Sequence, residues 1–249
     1  MWHNLRQLNL LANLLSACGA LLLLVGLAYW LNRQPVFVLR ALRIEGDTSH
    51  FNMQGARAAM SQLRGNFFTV DLDAARTAFE AMPWVRHASV RRIWPNRLSV
   101  ALDEYKPLGT WGSDWLVSTQ GERFTANPAE AGDDLLAFNG PPGSEQQVVA
   151  RYHDFKRWFA PLGVQVQEVT LSSRYAWSVE LASGMRIELG REQSEDLNMD
   201  TLAKRCSRLV AAWHYMTTQW GSQIEYADLR YPNGFAIRAA GMKFIDRPK

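Results

Sequence analysis

The chain has 249 residues, enough for one or two ordinary domains, and 47% of them are hydrophobic, so it can bury a sizeable core. Lysine and arginine number 27 against 24 aspartate and glutamate residues. This weakly basic balance is typical of an ordinary solvated surface and predicts no nucleic-acid partner.

The first predicted element is a membrane-spanning helix over residues 10–31. No charged residue lies between Arg6 and Arg33. At about 1.5 Å per residue the apolar run spans roughly 30 Å as a helix, which matches a hydrocarbon core. Tyr29 and Trp30 stand where an interfacial aromatic belt is expected. A cleaved signal peptide is the main alternative, but its apolar region is usually only about 7 to 15 residues long.

Charge alone does not orient this helix. One arginine precedes it, and Arg33, Arg40 and Arg43 follow it closely. The positive-inside bias is therefore neutral or slightly reversed, and long domains translocate largely regardless of it.

The two cysteines do not identify the cellular compartment of the protein. Cutting before Cys18, in a lipoprotein-like Leu-Ser-Ala-Cys pattern, would leave an exposed apolar arm, so lipidation is disfavoured. Cys206 is the only cysteine of the soluble part, where no internal disulfide can form, as fits cytosol and periplasm equally. Its place in an apolar seam predicts a buried small hydrophobe rather than a nucleophile.

A strand and two helices are predicted next. Apolar and charged residues alternate up to Gly46, as in a half-buried strand. Helical patterns cover residues 53–63 and 71–82, with Asp71 as the N-cap of the second helix and Pro83 after its end.

The stretch from Pro83 to Pro107 is predicted to be a β-hairpin. Apolar and polar residues alternate over residues 88–94 and 98–103. Pro95 and the following asparagine occupy the central turn positions, where fixed φ and a backbone-bonding side chain favour a tight reversal. Four arginines decorate the hairpin, and we interpret them as charges that solubilise the strands and blunt an edge. They are Arg86, Arg91, Arg92 and Arg97.

The remainder is predicted to be rich in strands, with two helices. Ser144 and Gln147 form a capping-box signature before a helix that ends at Gly163. A longer helix is predicted over residues 199–220 from apolar residues spaced by three and four. The predicted strands include residues 164–171, 177–181, 185–189, 224–231 and 235–238. A strand is therefore the last predicted element.

No catalytic or metal-binding constellation stands out. The five histidines are scattered, and no nucleophile elbow, P-loop or dinucleotide-binding motif occurs. Asp103 and Glu104 are neighbours in a predicted strand, so they point to opposite faces and make poor acid/base partners. We therefore expect no catalytic residue, no cofactor and no metal.

Several local motifs stand out along these elements: Phe68-Thr69-Val70-Asp71-Leu72, Met82-Pro83-Trp84-Val85, Ala88-Ser89-Val90-Arg91-Arg92 with Trp94-Pro95, and Asp228-Leu229-Arg230-Tyr231. Together with the order of the predicted elements, these motifs resemble the FtsQ/DivIB family of bacterial cell-division proteins. The resemblance covers nearly the whole chain. Its most specific part, from Pro83 to Pro107, is similar to the final hairpin of a POTRA domain.

The resemblance implies an α+β fold: a single N-terminal transmembrane helix, a POTRA domain of order β-α-α-β-β, and a β-rich domain with two flanking helices. Expected boundaries are a cytoplasmic tail 1–9, the transmembrane helix 10–31, the POTRA domain 36–105, the β domain 107–240 and a C-terminal tail 241–249. Structural roles are expected for Pro83, Trp84, Trp94 and Pro95.

The resemblance also implies a non-catalytic scaffold of the divisome, which links early and late division proteins. Such a protein is single-pass in the inner membrane at the septum, with its N-terminus cytoplasmic and its folded domains periplasmic. FtsB and FtsL are the expected direct partners, bound through the C-terminal strand, and FtsK, FtsA, FtsW and FtsI are further divisome partners. The expected partner-binding residues are Tyr226, Tyr231, Asn233, Gly234 and Phe235.

The last strand departs from the family pattern. In the family it often continues into an apolar or aromatic tail, whereas here Ile237 is followed by Arg-Ala-Ala-Gly. The edge is therefore expected to be shorter or differently lined. An alternative role for Tyr231 and Phe235 is to close the core of the β domain, with Gly234 serving the turn.

Two other classes of function remain open. A membrane-anchored periplasmic cell-wall hydrolase would need clustered carboxylates or a zinc site. An outer-membrane assembly factor would need repeated POTRA units or a long barrel of amphipathic strands, and the sequence offers one such unit.

Overall fold

The structure is a computed structural model that describes residues 5–32, 34–46, 49–132, 134–192, 201–220 and 224–240. The chain divides into two compact units, Met1–Glu104 and Tyr105–Lys249. The predicted C-terminal tail, 241–249, lies outside the described residues, as do residues 1–4 of the predicted first tail. The finer domain boundaries stay predictions.

Helix α1, Leu5–Asn32, contains the predicted span. Its stretch Asn9–Leu27 has a mean hydropathy of 2.3 and is 0% buried within the protein. By length and composition this helix can cross a membrane.

The rest of the first unit is built as the sequence predicts, in the order strand, helix, helix, strand, strand. A single 3₁₀ turn, Pro35–Phe37, precedes the first strand. The elements are β1 Ala41–Gly46, α2 Met53–Gln62, α3 Leu72–Glu80, β2 Val85–Ile93 and β3 Arg97–Glu104. The sheet has the order β1-β3-β2, with β1 parallel and β2 antiparallel to β3.

The two short helices cover one face of this sheet. Ala56, Ala59 and Phe79 pack against Val100 and Leu102, and all five are buried. The Asp71 carboxylate accepts the backbone N–H groups of residues 73 and 74, which confirms it as the N-cap of α3.

The two tryptophans predicted to be structural have opposite environments. Trp84 is 2% exposed, its ring stacks on His50 with centroids 4.0 Å apart, and its φ is 70°. Trp94, in the turn between β2 and β3, is 66% exposed. Pro83 is exposed and Pro95 half-buried, and the Trp94–Pro95 peptide bond is cis. Burial therefore supports a core role for Trp84 and not for Trp94.

The second unit is one mixed sheet with two helices. Its nine described strands are β4 Pro107–Trp111, β5 Trp115–Ser118, β6 Arg123–Phe124, β7 Leu136–Asn139, β8 Val166–Leu171, β9 Ala176–Leu181, β10 Arg186–Arg191, β11 Ile224–Asp228 and β12 Ala236–Ala239. Their order in the sheet is β12-β11-β10-β9-β8-β7-β4-β5-β6. The helices are α4 Glu145–Phe159 and α5 Leu202–Trp220.

Helices α4 and α5 bury their apolar stripes against this sheet. Phe155 and Phe159 of α4 and Leu209 of α5 are fully buried beside Trp177 of β9. The capping box predicted for α4 is wrong. Ser144 is the N-cap residue, but its hydroxyl donates to the Pro141 carbonyl at 2.6 Å and makes no cap bond to the helix.

Cys206 lies in this core, as its place in the apolar seam predicts. The side chain is 0% exposed, and burial raises the pKa of the thiol to about 12. Because the thiolate is the reactive species, Cys206 should not react with Ellman's reagent at pH 8 in the folded protein. A Cys18→Ser variant, which leaves Cys206 as the only thiol, should release the chromophore only after denaturant is added. A rapid reaction without denaturant would contradict this burial.

Candidate protein interface at the sheet edge

Strand β12 is the outermost strand at one end of the large sheet. It pairs antiparallel with β11, and β11 pairs parallel with β10. Within the residues that the structure describes, β12 has no strand on its other side. The C-terminal strand is thus at a sheet edge, as its place in the sequence predicts.

The backbone direction shows which amide this edge offers. The Leu229 N–H donates to the Glu188 carbonyl of β10 at 2.8 Å, so Ala227, two residues earlier, also directs its backbone groups towards β10. The Cα partner of Ala227 in β12 is Ile237. This is a non-hydrogen-bonded pair, in which both residues point their N–H and C=O groups away from each other. The N–H and C=O of Ile237 therefore point outward from the edge.

The side chains of this edge divide between two faces. Ala239 is buried in the core, and Phe235 and Ile237 pack against it partly buried. On the opposite face, the Arg238 guanidinium lies 5.5 Å from the centre of the Tyr226 ring. Burial, and then the Asp228 and Glu188 carboxylates, raise the pKa of the Tyr226 phenol, so the hydroxyl stays a hydrogen-bond donor at neutral pH.

The turn between β11 and β12 is fixed by charged side chains. Arg230 donates from Nε to one Asp228 oxygen at 2.8 Å and from Nη2 to the other at 2.6 Å. Its backbone N–H also donates to Asp228, at 3.1 Å. From α5, Arg208 donates to the Tyr231 carbonyl at 3.0 Å. At Gly190, φ is 78° and a Cβ would stand 2.9 Å from the Arg230 side chain, so glycine leaves room for this pair.

The five predicted partner-binding residues are all near this edge but differ in exposure. Tyr231 is 55% exposed and Asn233 is exposed at the tip of the turn. Gly234, Tyr226 and Phe235 are half-buried, and Phe235 packs against the core. The alternative of core closure therefore fits Phe235 and is wrong for Tyr231.

Sequence reasoning missed the roles of four residues at this edge. Asp228 and Arg230 stand two apart in and after a strand, on one face, and that spacing could have predicted their ion pair. The outward Ile237 amide follows from strand register, which the sequence does not reveal. Nothing in the sequence relates Arg208 to a turn more than twenty residues later.

The Asp228–Arg230 pair should make the stability of this unit sensitive to acid. The Arg230 hydrogen bond lowers the pKa of Asp228, although burial acts in the opposite direction. A carboxyl with a lowered folded pKa stabilises the fold above its unfolded pKa of about 3.9 and loses this contribution as the pH falls through the folded pKa. The melting temperature of this unit should therefore fall more steeply below about pH 4 in the parent than in Asp228→Asn. Equal slopes would contradict a contribution from the pair.

The other sheet edges are less suited to accept a strand. At the far end of the large sheet, β6 has only two residues, and Arg123 lies 4.5 Å above the Trp115 ring. In the first unit, β1 and β2 are outer strands that carry charged side chains, and Arg91 contacts Glu45 at 3.0 Å. Such charges protect an edge from pairing, which supports the structural interpretation of the hairpin arginines.

Comparison with known families gives two matches that together cover most of the chain. Residues 37–105 match the FtsQ-type POTRA domain. Residues 109–230 match the C-terminal domain of the cell division protein FtsQ/DivIB. The second match ends at Arg230, just before the turn and β12.

Relatives that match nearly the whole chain lead to the same family. The chain is 61% identical to the cell division protein FtsQ of Burkholderia pseudomallei over 98% of its length and 97% of that protein. It is 45% identical to the FtsQ protein of Bordetella pertussis, over 96% of this chain and 93% of that one. It is 37% identical to the FtsQ protein of Nitrosospira multiformis, over 96% of this chain and 99% of that one. The order of elements, the two family matches and these identities show that the chain belongs to the FtsQ/DivIB family of cell-division proteins.

Proposed function

We propose that this chain is a scaffold of the divisome that binds the FtsB and FtsL complex through β12. Membership of the family makes it a structural cell-division protein rather than an enzyme. The whole-chain match gives no support to the hydrolase or outer-membrane assembly alternatives. Among the described residues, no group of three acidic, histidine or cysteine side chains could hold a metal ion.

The single observation that carries the proposal is the outward Ile237 backbone at the end of the sheet. A strand with unpaired N–H and C=O groups can accept a strand from another protein. Main-chain hydrogen bonds then give affinity, and neighbouring side chains give specificity. Here Tyr231 and Asn233 flank this edge on the turn, and Tyr226 and Arg238 flank it on the sheet face away from the helices.

The proposed strand partner is FtsB, with FtsL bound beside it. FtsK, FtsA, FtsW and FtsI are proposed as further divisome partners, on the family resemblance alone.

Replacing Tyr231 tests this site most directly. Tyrosine is a frequent interface anchor, and truncating a central one costs about 2 kcal/mol, or roughly thirtyfold in affinity. We expect Tyr231→Ala to weaken binding of the full chain to a periplasmic FtsB–FtsL fragment by about that factor. Phe235→Ala should weaken binding and also lower stability, because its ring packs on the core.

A matched control is Tyr215→Ala on α5, where the ring is 65% exposed and lies on a different element. Circular dichroism on each variant separates lost contacts from unfolding. Unchanged affinity for both Tyr231→Ala and Phe235→Ala, with intact spectra, would remove the turn from the proposed interface.

The proposed location is the inner membrane, with α1 as the single anchor, the N-terminus cytoplasmic and both folded units periplasmic. Support comes from the span Asn9–Leu27 and from the family, since the charge bias is neutral. Alkaline phosphatase fused after Lys249 should be active in intact cells. An inactive phosphatase with an active cytosolic reporter at the same site would reverse the orientation.

A further inference from the structure

The first unit carries an exposed apolar surface, which we call the aromatic patch and define as Val36, Phe37, Val38, Phe68 and Trp94. Trp94 is 66% exposed, Val36 55%, Val38 52% and Phe68 50%. A contiguous exposed apolar patch marks a site of protein or membrane interaction. None of its five residues belongs to the hydrophobic core of the first unit.

The aromatic rings of the patch contact one another. The Phe37 ring centre lies 4.8 Å from that of Phe68 and 5.7 Å from that of Trp94. Three separate segments supply these rings: the 3₁₀ turn, the loop before α3 and the turn between β2 and β3. The rings are therefore gathered in one place although solvent covers half or more of most of them.

Hydrogen bonds to backbone carbonyls fix the three segments to one another. Phe67 N–H donates to the Phe37 carbonyl at 2.8 Å, and Asn96 Nδ2 donates to the Val36 carbonyl at 3.2 Å. Arg92 donates to the carbonyls of Phe67 at 2.7 Å and Val70 at 2.8 Å. The exposed rings are thus presented on a fixed base, as an interaction surface requires.

The length of chain between the patch and α1 identifies what covers it. Helix α1 ends at Asn32, and Val36 follows four residues later. Four residues reach at most about 14 Å, so Val36, the first residue of the patch, lies no farther than that from the end of α1. If α1 crosses the membrane, the patch is therefore beside the headgroup region whatever the orientation of the helix.

The side chains suit that location. Tryptophan combines an apolar ring with a polar N–H and is enriched at membrane interfaces. Arg40 and Arg97 are exposed beside the turn between β2 and β3. The backbone N–H of Arg40 donates to the Asn96 carbonyl at 3.1 Å. These cations complement anionic lipid headgroups.

We propose that the aromatic patch inserts into the headgroup and upper acyl region of the bilayer that α1 crosses. The proposal rests on the membrane anchor of the proposed function. Insertion would hold the turn of the β2–β3 hairpin against the membrane and so orient the first unit relative to the bilayer.

A depth measurement on the full chain tests it. A fluorescent label is attached at Phe68→Cys in a Cys18→Ser background, where the remaining Cys206 is buried and unreactive. The protein is reconstituted into vesicles of phosphatidylcholine and phosphatidylglycerol that carry shallow doxyl lipid quenchers. The control label is at Ala81→Cys, an exposed position after α3 and four residues before β2, whose far end leads to Trp94 and which spans about 26 Å.

We expect blue-shifted emission and several-fold stronger lipid quenching at position 68 than at position 81. Adding Trp94→Ser should reduce the quenching at position 68. Unchanged quenching in that variant would show that the tether alone holds the label near lipid, and would overturn insertion of the patch.

Three other outcomes of this experiment would each lead to a different conclusion. A protein that fails to float with vesicles would overturn the anchor, and this inference with it. A protein that floats with an aqueous label at position 68 would overturn insertion alone. A label shielded from iodide but not quenched by lipid would show that a protein surface covers the patch, which also overturns the proposal.

Discussion

Replacing Ile237 by proline should weaken binding to the FtsB–FtsL fragment by at least about thirtyfold. The Ile237 N–H points outward from β12, and proline removes that donor and leaves a carbonyl of the incoming strand without a partner. A net hydrogen bond is worth about 1 kcal/mol and an orphaned partner costs about 1 to 3 kcal/mol, so the loss is about 2 kcal/mol or more. Proline is tolerated on an edge strand whose N–H faces solvent, so the sheet should persist.

Ile237→Ala is the matched control for this substitution. Both variants lose the packing of the isoleucine side chain against the core, but only proline loses the donor. Binding measured by titration calorimetry should therefore be far weaker for Ile237→Pro than for Ile237→Ala. Equal affinities for the two variants would mean that the partner does not pair with the β12 backbone, and that side chains alone make the contact.

The spacing of apolar residues carried most of the predicted fold. Apolar spacing identifies helices and strands because each period places one face against a core, and it located both helices and the hairpin of the first unit. Apolar spacing predicted the ends of these elements less accurately. The strand predicted over residues 224–231 ends at Asp228, because the Asp228–Arg230 pair turns the chain there.

The order of strands in the large sheet was not predictable in the same way. Neighbours such as β4 and β7, or β10 and β11, are parallel and distant in sequence. Their pairing depends on long-range packing that no short window of sequence contains. The edge position of β12 was accessible because it is the last strand, whereas the outward amide required the register.

Sequence patterns were also insufficient to assign the side chains of the candidate interface to a face of the sheet. Alternation assigns faces within a strand, but the Pro-Asn-Gly turn interrupts it, so sequence could not decide whether Tyr231 or Phe235 faces the core. The structure assigns the core to Phe235 and solvent to Tyr231. Trp84 and Trp94 present a similar case, since each stands beside a proline, Trp84 before the alternating run of residues 88–94 and Trp94 at its end.

Those two tryptophans should differ widely in what they contribute to stability. Trp84→Ala should destabilise the first unit by about 3 kcal/mol or more, because it removes a large ring from a core position that is 2% exposed. Trp94→Ala should cost at most about 1 kcal/mol, the scale of an aromatic contact at an exposed site. Hydrogen exchange at the β2 and β3 amides of the full chain in detergent measures both values in the first unit alone.

A glycine substitution isolates the backbone part of this effect. At Trp84 φ is 70°, a left-handed conformation that costs a residue with a Cβ about 1 kcal/mol and glycine almost nothing. Trp84→Gly should therefore be no less stable than Trp84→Ala, the reverse of the usual order in regular structure. A small loss for Trp84→Ala, or equal losses at Trp84 and Trp94, would contradict the core role of Trp84. A glycine variant clearly less stable than the alanine variant would show that the backbone there does not hold its positive φ.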